Sequence, residues 1–210
     1  MGHSKIVGAI EIGTSKIAII IGEISSGTSL NIIGNYSVQS SGVKKGVIED
    51  LQATGQIVHN AIVQAENEAG TEIEEIYLAH TGQHLAGVFN LGTTNVSAPN
   101  GVITKVDVEK AKEDARRPQL PDGRSFIHYI QNPFSVDGVK VENPIHMQGK
   151  RLQVGFWAIH ADNKILQDSL RVIMGIPLVV EDVIVSSIAS GNALLQDSEK
   201  KAGALVIFLV

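Results

Sequence analysis

The chain has 210 residues, 43% hydrophobic and 19% charged, with a net charge of −5. That balance excludes a disordered chain and an extended coiled coil, and the length fits one small domain or two interleaved ones. No basic block tracks a phosphate backbone, which argues against nucleic acid as a main partner. The absence of cysteine removes disulfides, thiolate metal sites and a cysteine nucleophile together, and a reducing cytoplasm is the natural setting. Met1 to Lys5 lead into an apolar stretch broken at once by Glu11, unlike a signal peptide. The longest apolar runs, Ile17 to Ile21 and Ala204 to Val210, fall far short of the roughly 20 residues of a membrane-crossing helix.

Ile6 to Ile12 and Lys16 to Ile24 are β-rich runs separated only by Gly13, Thr14 and Ser15, which predicts a tight hairpin. Leu30, Ile32, Tyr36 and Val38 alternate with polar residues, and Ser25-Ser26-Gly27 supplies the turn before them. Asp50 then caps a helix with Val58, Ala61, Ile62, Ala65 and Ala69 on one face, and Gly70 ends it. Ile73 to Ala79 is a fourth strand. This β-β-β-α-β order predicts an α/β fold: a mixed sheet of the ribonuclease-H-like or actin-like kind with a helix on one face.

From about Gln83 the pattern changes. A Gly- and Asn-rich extended stretch runs to Val102, and Thr104 caps a short charged helix that stops before Pro118. Two further strands cover Arg124 to Val136 and Arg151 to His160. The stretch reads as a strand-helix-strand-strand unit inserted into the core. A helix from Asn163, with Ile165, Leu166, Leu170 and Ile173 at helical spacing, closes at Gly175 and Pro177. Leu178 to Val185 reads as a strand, Ser186 to Leu195 as a small-residue helix, and Gly203 to Val210 as a buried strand.

Glu11-Ile12-Gly13-Thr14-Ser15-Lys16 joins an acidic strand residue to a small-residue turn and then a base. Such a turn suits phosphate: Gly13 lets the backbone approach, turn amides form an anion nest, and the Thr14 and Ser15 hydroxyls add donors. Lys16 would neutralise phosphate charge, and Glu11 would hold a water of a bound Mg²⁺. The bare pattern also serves an ordinary hairpin. Its place between the first two strands of such a core is where actin-like ATPases carry their first phosphate loop.

Val7 to Lys16, with Asn31-Ile32-Ile33-Gly34, Ser41 to Gly46, Ile76-Tyr77-Leu78-Ala79, Asn143-Pro144, Gly149 to Leu152 and Ile188 to Leu194, resembles in order the N-terminal half of the FtsA family of actin-like bacterial cell-division proteins. The resemblance implies an actin-like first subdomain made of residues 1–82 and 161–202, interrupted by an inserted SHS2-type (strand-helix-strand-strand) subdomain at 83–160. Residues 203–210 would then begin a second lobe. It further implies ATP and Mg²⁺ as ligands, at most weak ATPase activity and self-association into filaments. For the full-length family it implies FtsZ and later division proteins as partners and a C-terminal amphipathic helix, expected beyond residue 210, that holds the protein to the cytoplasmic face of the inner membrane at the septum. At its end the sequence departs from the family. Where an Asp and a Gly-rich second phosphate loop are expected after Ile207, it reads Phe208-Leu209-Val210. The chain is therefore expected to be a truncated product or fragment with half a nucleotide site, inactive by itself and prone to associate through its apolar end. A pilus or secretion assembly ATPase and a small-molecule kinase of the actin-like superfamily are the alternatives.

The remaining candidates are weaker. His80 and His84 have the spacing of helical metal ligands, but Thr81-Gly82 lies between them and no HExxH glutamate is present. A loop at the entrance to the insert is the simpler reading. Charged residues from Asp107 to Arg117 read as a solvated helix face with an i,i+4 pair, Glu113 to Arg117. Phe156 and Trp157 are strand neighbours, so one faces the insert's core and the other solvent.

Overall fold

A computed structural model describes residues 4–25 and 29–207. The chain divides into two compact units. The larger is built from residues on either side of the insert, up to His84 and from Asn163, and the smaller runs from Leu85 to Asp162.

In the larger unit β1 (Lys5–Ile12), β2 (Lys16–Ile24) and β3 (Leu30–Gln39) form an antiparallel meander. Of the turn predicted at Ser25-Ser26-Gly27, Ser26 and Gly27 lie outside the described residues. The small hairpin of β4 (Val43–Lys44) and β5 (Val47–Ile48) leads into helix α1 (Leu51–Ala69). Asp50 caps this helix, accepting hydrogen bonds from the amides of Gln52 and Ala53 at 3.0 and 2.9 Å, and Gly70 ends it at φ 68°. Strand β6 (Glu75–His80) then pairs parallel with β1.

The smaller unit begins with β7 (Ala86–Asn95), followed by helix α2 (Lys105–Ala115), β8 (Arg124–Val136), the short β9 (Val139–Val141) and β10 (Arg151–Asp162). They make an antiparallel sheet in the order β7-β10-β8-β9, with α2 packed across it. Thr104 and Asp107 form a reciprocal capping box. Burial pushes the Asp107 carboxyl up, but hydrogen bonds from Thr104 and Ser97 outweigh it and hold the group well below the usual carboxylate range. Phe156 is buried beneath α2 at 2% exposure, whereas its neighbour Trp157 is 47% exposed on the opposite face. The turn between β8 and β9 puts Asp137 and Gly138 at positive φ, and the Asp137 carboxylate accepts from the Lys150 and Arg151 amides.

The chain returns through helix α3 (Asn163–Met174) to β11 (Val179–Val185), which pairs parallel with β6 and completes a mixed sheet of order β11-β6-β1-β2-β3. Helices α4 (Ser186–Leu194) and α5 (Asp197–Ala202) follow. The predicted strand over 203–210 is not found over 203–207, which join no ladder; Leu205 and Ile207 are 84% and 73% exposed, and residues 208–210 lie outside the described residues. An apolar run states a demand for burial, but a strand also needs a neighbour to accept its backbone hydrogen bonds, and residues 203–207 pair with none among the described residues.

One core fills the space between the mixed sheet and α1 with α3. Ile10, Ile17, Ile19, Ile62, Ile76, Leu78 and Ile173 are all buried there. Helix α1 seats closely on β3 because Gly34 has no side chain: a Cβ there would lie 2.6 Å from the Ala65 carbonyl oxygen and 2.8 Å from the Ala69 methyl. Gly34→Ala is expected to lower unfolding free energy by about 1–3 kcal/mol through overpacking, measured by urea denaturation. A neutral result would show that α1 shifts freely.

Candidate functional site

Parallel strands β1, β6 and β11 end at the same edge of the sheet, the carboxyl edge where α/β sheets present ligand sites. Glu11, next to last in β1, stands in register with Ala18 of β2 and Ala79 of β6, and Ala79 in turn with Ile184 of β11. Small neighbours let the glutamate lie against the sheet. Its Oε1 is buried with no hydrogen-bond partner among the described residues.

The turn that follows is tight. The Gly13 amide donates to the Lys16 carbonyl at 3.0 Å, so this amide closes the hairpin and is unavailable to an anion. The Thr14 and Ser15 amides make no hydrogen bond among the described residues. Thr14 Oγ1 accepts from the Gly46 amide at 3.0 Å, and the Ser15 carbonyl accepts from the Ser40 amide at 3.1 Å. Ser15 and Lys16 are exposed, with the lysine at the first position of β2. The anion nest expected over the whole turn is thus narrowed to Thr14 and Ser15.

Three loops meet at Gly46. Gly46, in the β4–β5 hairpin, has φ 74°, and a Cβ on it would fall 2.8 Å from the Thr81 carbonyl oxygen and 3.0 Å from the Gly82 Cα. Only glycine allows backbone to meet backbone there. Two further buried hydroxyls without partners among the described residues lie at this edge: Ser40 Oγ, just beyond β3, and Ser186 Oγ, at the start of α4 just after β11. Native structures leave few buried polar atoms unpaired, so three at one edge make it the candidate place for a polar ligand. The unpaired carboxylate oxygen suits a hydrated divalent cation, and the turn amides and hydroxyls suit phosphate oxygens. Ser40 and Ser186 were not singled out by sequence; neither belongs to a motif, and only the sheet brings them to Glu11's edge.

His80, the last residue of β6, is buried on the helix-covered face, and its Nε2 lies 2.8 Å from Nε2 of His84 with the rings edge to face. One nitrogen must carry a proton and the other must accept. Gly82, between them at φ 145°, leaves room for the His84 ring. Among the described residues no cluster of three or more histidine, cysteine or acidic side chains forms a metal site.

Residues 82–160 match the family described as the SHS2 domain inserted in FtsA. Nearly the whole chain is similar to curated relatives named cell division protein FtsA: 30% identical over 204 residues in Escherichia coli K12, covering 97% of this chain and 48% of the relative. For Borreliella burgdorferi the values are 31%, 99% and 50%, and for Bacillus subtilis 31%, 99% and 47%. The chain therefore spans about half the length of the curated relatives it matches. Among solved structures, the PilM-PilN type IV pilus biogenesis complex superimposes with a TM-score of 0.57 at 16% identity, over 90% of this chain and 49% of that one. That likeness is one of fold, an actin-like mixed sheet carrying an inserted SHS2 unit.

Burial, reinforced by the neighbouring His84, pushes the His80 pKa down to about 4. Between the ordinary histidine value near 6.5 and about 4, the unfolded chain takes up a proton that folded His80 refuses. Stability is therefore full above about pH 6.5 and falls as pH drops through this window, by up to about 3 kcal/mol. Urea denaturation at stepped pH should show this loss, and His80→Gln should flatten it. An unchanged slope in the variant would assign the loss to other groups.

Proposed function

This chain is a relative of FtsA over half of that family's length, and from that premise we propose that it is a cell-division scaffold component whose turn from Gly13 to Lys16 supplies one side of an ATP·Mg²⁺ site. The observation that carries this reading is the buried, unpaired Glu11 Oε1 at the carboxyl edge of the sheet, beside turn amides left without acceptors. When bound, the nucleotide and its cation supply charge for the two lobes of such a fold to close upon. Glu11 would hold a cation-bound water, and the Thr14 and Ser15 amides and hydroxyls would orient phosphate oxygens. Lys16, free to swing from the start of β2, would offset their charge. Gly46 holds Thr14 in place through the 3.0 Å hydrogen bond to its hydroxyl.

In this reading the chain works by nucleotide-dependent association, with at most weak ATPase activity. FtsZ and later division proteins are its partners at the septum, and the insert takes part in filament contacts and recruitment. Identity of 30–31% to the division proteins along nearly the whole chain, against 16% to the pilus complex, favours division over pilus assembly. No described helix is long and apolar enough to cross a membrane.

Amide NMR with Mg-ATP tests the site directly. Shifts should move at Gly13 to Lys16 with a dissociation constant of about 1 mM or weaker, the affinity expected of a single phosphate-binding turn. Glu11→Ala and Lys16→Ala should each weaken the response severalfold. Unmoved turn resonances would refute the site, and binding tighter than about 1 μM would refute its one-sidedness.

A further inference from the structure

Helix α2 covers one face of the insert's antiparallel sheet. The other face carries a row of large apolar side chains. Phe89 of β7, Trp157 of β10 and Ile130 of β8 stand in register across three neighbouring strands, so all three project from the same side. Leu91, two residues along β7 from Phe89, joins them. Phe89, Trp157, Ile130 and Leu91 are 45%, 47%, 42% and 50% exposed.

Two glycines set the posture of the rings. A Cβ on Gly155 would lie 2.6 Å from Phe89 Cζ, and one on Gly87 would lie 3.5 Å from Trp157 Cε3. Each ring therefore leans diagonally over a glycine of the other strand and lies along the sheet, which leaves one π face open to solvent. The rings are tilted by 55° with centroids 5.5 Å apart, making a shallow aromatic cleft. The Trp157 indole N–H makes no hydrogen bond among the described residues.

Size and charge select the occupant. Large apolar side chains of this kind offer about 150–250 Å² each, so four that are half exposed present roughly 400 Å² together. A stable interface between folded proteins takes about 800 Å² from each partner, twice what the row supplies, which disfavours a second copy. A short segment needs less. None of the outward positions from Gly87 to Leu91 on β7, or from Gly155 to Ile159 on β10, is charged, and the insert balances nine basic against eight acidic residues. Nothing there steers a charged peptide or a phosphate backbone to the cleft. A free segment must also give up conformational freedom on binding, and a polyproline II segment has little to give up, because its rings already fix φ. Its carbonyls, without internal partners, accept from a donor set beside the aromatic rings.

We propose that the cleft between Phe89 and Trp157 binds an uncharged, proline-rich segment of a partner protein. Its proline rings pack on the two aromatic faces and against Ile130, and one of its carbonyls accepts from the Trp157 indole N–H. The proposal rests on the reading of the insert as a recruiting unit. Its test contains neither nucleotide nor division protein, so a failure removes this site and leaves that reading standing.

Trp157 is the only tryptophan of the chain, so its emission reports on the cleft directly. The probe is acetylated decaproline, which adopts polyproline II in solution, with a ten-residue Gly-Ser peptide as the flexible control. Decaproline should change the emission saturably with a dissociation constant of about 100 μM, and the Gly-Ser peptide should not. Phe89→Ala and Ile130→Asn should each weaken binding at least about fivefold, while Val139→Arg, on β9, leaves it unchanged. Circular dichroism checks that both cleft variants are folded; if either is not, Trp157→His, followed by amide NMR, replaces it and should show the same weakening. No change at about 2 mM decaproline, an equal response to the Gly-Ser peptide, or binding that the cleft variants leave intact would overturn the proposal. So would sedimentation showing that the chain dimerises through a contact that Phe89→Ala removes, or an emission shift on phosphatidylglycerol vesicles with none on decaproline. The occupant would then be a second copy or a lipid surface.

Discussion

The larger unit depends on the two-sided pairing of β1, antiparallel to β2 and parallel to β6. The antiparallel side needs only the three-residue loop from Gly13 to Ser15, closed by the hydrogen bond from the Gly13 amide to the Lys16 carbonyl. The parallel side needs a crossover, and α1 supplies it, burying the stripe from Val58 to Ala65 against the sheet on the way. With both pairings made, Ile10 and Ile12 must face the helices and Ala9 and Glu11 must face the other way. The alternation that builds the core thus also delivers a carboxylate to the sheet's carboxyl edge.

The two units solve the problem of helix-on-sheet packing in the same manner. Helix α1 approaches β3 at Gly34, and helix α2 approaches β7 at Gly92, where a Cβ would lie 2.0 Å from the Ala111 carbonyl oxygen. In each case a strand glycine faces alanines of the helix, Ala65 and Ala69 in one and Ala111 and Ala115 in the other. Close backbone approach replaces side-chain interdigitation at these two points. In the insert, the Arg116 guanidinium lies 5.1 Å from the Phe156 ring and covers its edge of the core.

Much of this was legible in the sequence because it is governed by local rules. The turn after Ile12, the Asp50 and Thr104 caps, the Gly70 stop and the opposed exposures of Phe156 and Trp157 follow from composition and period within a few residues. The hairpin of β4 and β5 was not, since two-residue strands have no period to detect. Helix α5 escaped for a related reason: with no buried residue it has no apolar stripe. The turn from Gly13 to Lys16 was visible as a motif, but the use of the Gly13 amide inside the hairpin, and the gathering of Ser40 and Gly46 around it, depend on contacts made in the folded chain. The resemblance to FtsA supplied the inserted unit's name, whereas its sheet order, with β10 central between β7 and β8, came only from the structure.

The insert enters on β7 and leaves on β10, and these strands are paired so that Ala86 stands opposite His160. Neighbouring strands put such partners about 5 Å apart, so both covalent junctions to the larger unit lie side by side. The insert is thus a cassette: its removal leaves a gap that a few glycines would bridge, and its transplantation into another protein would require only a surface loop with ends equally close. A lineage could exchange or discard this unit without redrawing the parent sheet.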